Sequence, residues 1–549
     1  MRSLETEVLV IGSGLAGLRA AIESARNGAR TMVVSKSTIE GGSNSVLAGG
    51  GLAVAAEEKD VEDHIKETLS IGKGLNDRIL VAELAHGGPK EIESLRVLGV
   101  DFIQRPPFGY RVDKKGYPGN MLGGRILVKK LIREANQYSQ IQFLPDFFVY
   151  KILVEEGEVS GVLGFDKEGR PSLISSKSIV LAAGGGGGIY KRNDNYKKIL
   201  GDGYALALET GLSLIDMEFV QFYPFGFAEP GLPQAMIYPP YPEEVRILDC
   251  EGKDFLKKHG IDMSLDRLIV TLRDKSCYLI YKESQIGKVC MDYTRVPDSR
   301  WEEFPLSLFP KKRFNFKENP FAICPLAHFF MGGIRVKAAG ETDIPGLYAA
   351  GEVAGGLHGS NRMGGNALAE CLVFGAKSGY EAAQYAMTRI LKKTPPIPKD
   401  WPGDLLVSSA GLRSTPNTSA ALRAVRDLAW KYAGPIRNEE QMREGLSLLD
   451  ARRRKLDSLP VCQISELISK KELENSILVL QAILASSLAR KESRGSFQRG
   501  DFPRQGGDEL LRRVSVKMRG AERNLEVNWE DLNQNDPTSH TGPQAEATK

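Results

Sequence analysis

The chain has 549 residues, 42% hydrophobic and 26% charged, with a formal net charge of +4. That near-neutral balance excludes the strong positive field of a nucleic-acid binder. The longest apolar run, Ile477–Leu488, falls far short of the roughly 20 residues needed to cross a bilayer, so no direct membrane span is expected.

At about 150 residues per domain the length suggests about three units. The 58 glycines are clustered rather than periodic, which points to tight turns and close backbone approach to a ligand. The six cysteines (Cys250, Cys277, Cys290, Cys324, Cys371, Cys462) include no C-x-x-C pair. This argues against an iron–sulfur cluster or structural zinc in this chain and suits a reducing compartment, so no metal ligand is assigned. A strand pattern begins within a few residues of the N-terminus and leaves no room for a secretory signal. The expected location is cytoplasmic, with any membrane association peripheral and through a partner.

In chain order, Val8–Ile11 reads as a buried strand, Leu15–Asn27 as a helix and Thr31–Ser35 as a second strand, a β-turn-α-β opening. Between the first two lies Gly12-Ser-Gly14-Leu15-Ala16-Gly17. Gly12 allows the tight turn, Gly14 lets the backbone approach a pyrophosphate at the helix N-terminus, and Gly17 lets the helix pack on the sheet. The acidic residue that would grip a nicotinamide dinucleotide's ribose is missing, since Ser35 and Lys36 stand there. Over 145–181 short alternating runs predict a β-meander returning to a buried strand at Ile179–Leu181, followed by Ala182-Ala183-Gly184-Gly185. A second such end, Leu347–Val353, carries Gly351 and Glu352. Two extra backbone approaches suit FAD, whose ribityl hydroxyls Glu352 can bond. Asn366-Ala367-Leu368 opens a helix whose dipole would favour a reduced flavin anion.

Between these glycine-rich loops, residues 221–325 change character and read as an inserted domain. Pro395, Pro396 and Pro398 mark a linker. Helix patterns follow at Ser419–Tyr432, Glu439–Leu456 and Lys471–Ala489, with Ile477–Leu488 as buried core. Asp536–Lys549 is small, polar and expected to be disordered.

Several segments now resemble one family. Ala327-His328-Phe-Phe-Met331-Gly332-Gly333-Ile334, Leu357–Leu368, Leu272-Arg273-Asp274, Gly201-Asp202-Gly203 and Arg490-Lys491-Glu492-Ser493-Arg494-Gly495 occur in the order seen in succinate dehydrogenase, fumarate reductase and L-aspartate oxidase flavoproteins, the FAD-dependent oxidoreductase 2 family. The resemblance spans roughly residues 5–505. It implies an α/β fold: a Rossmann-like FAD-binding domain (1–220 and 326–390), an inserted α+β capping domain (221–325), a C-terminal helical domain (400–515) and a partly disordered tail (516–549). It also implies hydride transfer between flavin N5 and a carbon beside a carboxylate. Arg273 would then give or take the proton, while His328 and Arg362 bind the substrate carboxylate. Tyr223 and His358 would complete the substrate set, and Arg494 would tie the helical domain to the cap. Gly12, Gly14, Leu15, Ala16, Gly17, Ser35, Lys36, Ser43, Asn44, Gly50, Gly51, Ala183, Gly184, Gly185, Asp202, Gly351, Glu352, Asn366, Ala367 and Leu368 form the expected cofactor set.

The chain departs from the family at the position of the flavin-linking histidine, which is Asn44, so FAD is expected to be non-covalent. The family's substrate-side His and Thr are Tyr223 and Phe225, and its proton-relay segment is unrecognisable in Tyr238–Arg246. Two readings of the pocket follow: a substrate with one carboxylate and a larger or apolar end, or a dicarboxylate whose missing cation is supplied by Arg125 or Arg246. The expected reaction interconverts a saturated and an unsaturated carboxylate, with electrons exchanged with an iron–sulfur or thiol-reductase subunit. The alternatives are an L-aspartate oxidase and an electron-relay flavin subunit.

Overall fold

Val8–Ile11 and Ser178–Leu181 are wholly apolar or β-branched apart from one buried serine, as strands covered on both faces must be. They form the middle of a parallel sheet in the order Leu347–Ala349, Ser178–Leu181, Val8–Ile11, Thr31–Val34, Ile141–Leu144. The structure, a computed structural model, describes residues 1–105, 108–392, 396–398, 401–402, 418–459, 461, 463–520 and 523–532. Pro395, Cys462 and the polar segment Asp536–Lys549 lie outside the described residues.

Helix Leu15–Arg26 packs on this sheet beside helix Asn366–Met387, where Gly375 and Gly379 lie close to the backbone of Ala16 and Ala20. The meander predicted over 145–181 is present as Phe148–Glu155, Glu158–Phe165 and Pro171–Ser175. The last of these also pairs with an N-terminal strand, Arg2–Glu5, that the sequence reading did not resolve.

The inserted unit has its own core, rich in aromatic side chains such as Phe227, Trp301, Phe309, Phe316 and Phe321. Its sheet runs Val220–Phe227, Phe321–Phe330, Val289–Asp292, Arg246–Leu248, all antiparallel. The first two strands are also the two crossings into the dinucleotide-binding unit, so cap and cofactor domain share one continuous strand pair rather than two linkers.

Helices Thr418–Tyr432, Glu439–Asp457 and Ile464–Ala489 make the C-terminal bundle. The third is buried almost all round from Ser476 to Leu484, as its mostly apolar stretch predicts. The boundary expected at 515 falls inside a strand. Arg512–Arg519 and Asn524–Asp531 form a hairpin that pairs with Ser213–Ile215, itself paired with Gly333–Ile334. The segment from 516 to 531 is therefore sheet rather than tail, because it finds its partner strand some 300 residues upstream, a pairing that local sequence cannot announce.

Candidate active site

A cavity of about 780 Å³ runs from the C-terminal edge of the parallel sheet to the cap. At its first end, Gly12 has φ +115°, and a Cβ there would lie 2.2 Å from the Ala182 carbonyl oxygen. A Cβ at Gly17 would lie 1.9 Å from the Gly12 carbonyl oxygen, so these two glycines serve strand–turn–helix contact. Gly14 caps the helix without a side chain, and the Leu15 N–H donates to Ser45 Oγ at 3.0 Å. Gly12, Gly14, Leu15, Ala16, Ser35, Lys36, Ser43, Asn44, Gly50 and Gly51 line the cavity, whereas Gly17 does not.

Where an acidic residue is absent at the end of Thr31–Val34, Lys36 draws carboxylates from other elements. Lys36 pairs with Asp202, the first residue of helix Asp202–Glu209, and with Glu472 at 3.2 Å; Asn475 donates to Asp202 at 2.9 Å. Helix Ile464–Ala489 thus braces Lys36 and Asp202, which line this end of the cavity, from behind.

In the middle, Ala183, Gly184, Gly351, Glu352, Ala367 and Leu368 line the wall. Gly185 stands behind them, where a Cβ would fall 2.1 Å from the Glu352 carboxylate. Asn366 is likewise behind the wall, bonded to His64 at 3.0 Å and Thr68 at 3.1 Å. Burial pushes the Glu352 carboxyl up to about 7, against the lowering effect of the Phe330 N–H and the Asn44 amide. The Asn44 side chain donates to Asn195 Oδ1 at 2.6 Å and accepts from the Tyr196 N–H at 2.8 Å.

At the cap end, His328 lies at a β-bulge: Gln221 faces Phe329 and Phe222 faces Ala327, leaving His328 unpaired in the ladder. Its ring lines the cavity, and Nδ1 bonds Asp194 Oδ2 at 2.8 Å. Arg273 opens helix Arg273–Ser284 and donates to the Arg362 carbonyl. Arg362 is buried over the Phe329 ring at 4.6 Å, and neither Arg362 Nε nor Arg273 Nε has a hydrogen-bond partner. Desolvation, then the charge of Arg273, pulls the Arg362 guanidinium down to about 9. Among the described residues, no carboxylate forms an ion pair with either arginine.

Tyr223 lines the same end, its hydroxyl 2.5 Å from that of Tyr241, which donates to the Ile237 carbonyl at 2.7 Å. Burial holds both phenols well above their ordinary range.

Several sequence expectations change here. His358 does not line the cavity: it is buried beneath Phe329, with its ring 5.3 Å from that ring and Nε2 bonded to Glu370 at 3.0 Å. Phe225 turns into the cap core because it follows a second irregularity in the ladder after Tyr223. Arg246 pairs with Asp292 and Arg125 is exposed on its helix, so neither supplies a cavity cation. Arg494 is structural, but it bonds Glu492, the Lys73 carbonyl and the Gly506 carbonyl, while neighbouring Ser496 bonds Ser360. It braces the loop that carries Arg362, not the cap.

The cavity cations that sequence reading missed are Arg105 and Arg111, at either side of the turn between strands Phe102–Gln104 and Tyr110–Val112. Two arginines on either side of a short Pro- and Gly-containing segment were the available signal. Asp194, in a polar loop, carried none.

Residues 7–368 match the family model of the FAD binding domain, and residues 422–545 that of the fumarate reductase flavoprotein C-terminus. The chain belongs to the fumarate reductase/succinate dehydrogenase flavoprotein family. FAD is therefore its cofactor, and the long glycine-walled cavity with a helix N-terminus at one end fits such a molecule. Among relatives of this flavoprotein, a fumarate reductase (CoM/CoB) subunit of Methanothermobacter marburgensis is 31% identical, over 91% of this chain and 95% of that one. L-aspartate oxidase of Bacillus subtilis is 30% identical, over 90% and 91%. The FrdA chain of Escherichia coli quinol fumarate reductase matches at a TM-score of 0.83 and 26% identity, over 97% of each chain. Among the described residues of this family member, no helix is long and apolar enough to cross a membrane.

Proposed function

We propose that this flavoprotein interconverts a saturated carboxylate and its α,β-unsaturated partner, with succinate and fumarate as the reference pair. The observation that carries the reading is the buried, unpaired pair Arg273 and Arg362. Two desolvated guanidinium groups without a counter-ion are costly, and an anionic substrate offsets that cost. Arg362 presents a planar fork of donors suited to a carboxylate, and His328, held by Asp194, offers its second ring nitrogen to the same group. Arg273, the other cation at this end, is assigned the proton exchanged at the substrate carbon. Bound FAD supplies the two-electron chemistry. The cap strands that carry Tyr223 and His328 keep water from the reacting carbon.

FAD is held non-covalently in this reading, because an amide such as Asn44 is not a nucleophile. Electrons are exchanged with a separate iron–sulfur or thiol-reductase subunit; the Methanothermobacter relative is itself named as one subunit of its enzyme. Any membrane contact is made through such a partner.

The test is anaerobic reduction of the flavin followed by its reoxidation with fumarate, crotonate and other unsaturated acids. Rapid reoxidation by one of them supports the reading. No reoxidation by any, with release of oxaloacetate and peroxide from aspartate, moves the assignment to an L-aspartate oxidase. No response to either, with turnover of a larger complex unaffected by Arg273→Ala, leaves an electron-relay subunit.

A further inference from the structure

The cavity does not end at Tyr223. It continues between the hairpin that contains Tyr110 and the cap segments carrying Tyr238, Asp266 and Phe304. Two further cations stand there. Arg105 is exposed at the mouth, and Arg111 is half-buried behind it, with its guanidinium 4.8 Å from the Phe304 ring centre. Lys114 lies over the same ring at 3.8 Å. Among the described residues none of these three cations forms an ion pair, and they disfavour one another: burial first, then the charge of Arg105, lowers the Arg111 pKa, and Lys114 is lowered by burial and Arg111.

Of the carboxylates that line the cavity, Asp266 feels the charge of Arg105. Asp266 lines the cavity near Arg105, but burial raises its pKa and it is occupied by the Tyr241 N–H at 3.2 Å. The wall between the two cationic ends is apolar: Met236, Ile269 and Val270 line it, and Val270 is 69% exposed although large and hydrophobic. An anion seated beside the partly buried Arg111 and Lys114 would relieve their mutual repulsion, and Arg105 at the mouth would add its charge.

We infer that the substrate carries a second anionic group, a carboxylate or a phosphate, at the far end of an apolar spacer longer than that of fumarate, and that Arg105 and Arg111 bind it. This rests on the reading given under Proposed function, in which Arg273, Arg362 and His328 hold the carboxylate next to the reacting carbon. The arrangement accounts for Tyr223 in place of a short-range cation. The second charge of the substrate is met further out, and the phenol lines the passage beside an apolar stem.

The experiment uses the flavin-loaded full chain and 2-alkenoic acids of equal chain length that end in a methyl ester, a carboxylate or a phosphate. The kcat/KM for reoxidation of the reduced flavin is measured for each. Binding of the saturated analogues to the oxidised protein is followed by calorimetry. The expected result is a preference of about tenfold or more for an anionic terminus over the ester, in both rate and affinity, weakening with added salt. Arg105→Gln and Arg111→Gln should shrink the ratio of anionic to ester substrate toward one, a readout that general damage to the fold does not move. The stronger of the carboxylate and phosphate arms identifies the source of the charge. If unsaturated acids reoxidise the flavin but the ester serves as well as the anions, this inference is overturned while the proposed reaction stands. If no unsaturated acid reacts and no saturated diacid binds, both fall.

Discussion

Arg273 donates a hydrogen bond to the backbone carbonyl of Arg362, so two buried guanidinium groups converge on one wall of the cavity without a carboxylate between them. Residue Arg362 lies in a loop and Arg273 begins a helix of the cap, so the contact ties cap position to the site where the substrate anion is proposed to bind.

Replacing Arg362 therefore has opposite effects on stability and on activity. Arg362→Met should leave the ligand-free fold equal or more stable, by up to ~4 kcal/mol, because an unpaired buried cation is removed. It should cost roughly 10- to 100-fold in kcat/KM, the worth of a charged hydrogen-bonded contact. Thermal unfolding with and without a carboxylate ligand checks this. The ligand should raise the midpoint of the wild type and not of the variant, and a variant that unfolds earlier without ligand contradicts it.

Asp194 fixes the His328 ring through Nδ1 at 2.8 Å. Asp194→Asn should lower kcat/KM by about tenfold or more through loss of that charged bond, with the visible flavin spectrum unchanged. An unaltered rate would show that the bulge alone orients the ring.

Glu352 couples cofactor affinity to pH. In the flavin-free protein burial places its pKa near 7, above the ordinary 4.5, so its contribution to apo stability is full below 4.5 and is lost as pH rises through 7. Ribityl hydroxyls that donate to the ionised carboxylate would lower that pKa on binding. FAD uptake should then release a proton, and affinity should rise with pH up to about 7 and level off above it. Titration of apoprotein with FAD between mildly acid and neutral pH measures this, and Glu352→Gln should flatten the profile.

Asn44 bridges Asn195, Tyr196 and Glu352. Acid precipitation should leave yellow FAD in the supernatant and none with the pellet. Asn44→Ala should weaken FAD binding without making it covalent, as followed by flavin fluorescence on dilution.

Arg513, on the C-terminal hairpin, is placed 3.7 Å from Asp216, whose two carboxylate oxygens are buried without a hydrogen-bond partner. Arg513→Ala should destabilise the fold by roughly 3 kcal/mol by uncovering that charge. Burial already raises the Asp216 pKa, so the loss should shrink in acid, where the carboxyl takes a proton. Denaturant unfolding at neutral and acid pH compares the two.

Local rules made the cofactor end readable. Gly12, Gly14 and Gly17 obey the short-range geometry of one turn, and Ala183–Gly184 and Gly351–Glu352 each follow a strand, so the sequence alone predicts which turns meet at the cavity. The substrate end depends on long-range pairing. His328 is turned inward by a bulge defined by a strand about 100 residues earlier, and the same ladder sends Phe225 to the cap core. His358 adjoins Arg362 in sequence but packs beneath Phe329.

By itself the sequence determined the family and the cofactor, and it singled out Arg273, His328 and Arg362, which the fold places in one cavity, because glycine turns and short motifs are encoded by neighbours in the chain. Only the tertiary structure decided that Arg105 and Arg111 share a cavity with them, that Asp202 pairs with Lys36, and that strands Arg512–Arg519 and Asn524–Asp531 join a sheet. Each of those contacts joins residues distant in sequence, and their proximity exists only once hydrophobic burial has packed the sheets and the cap together.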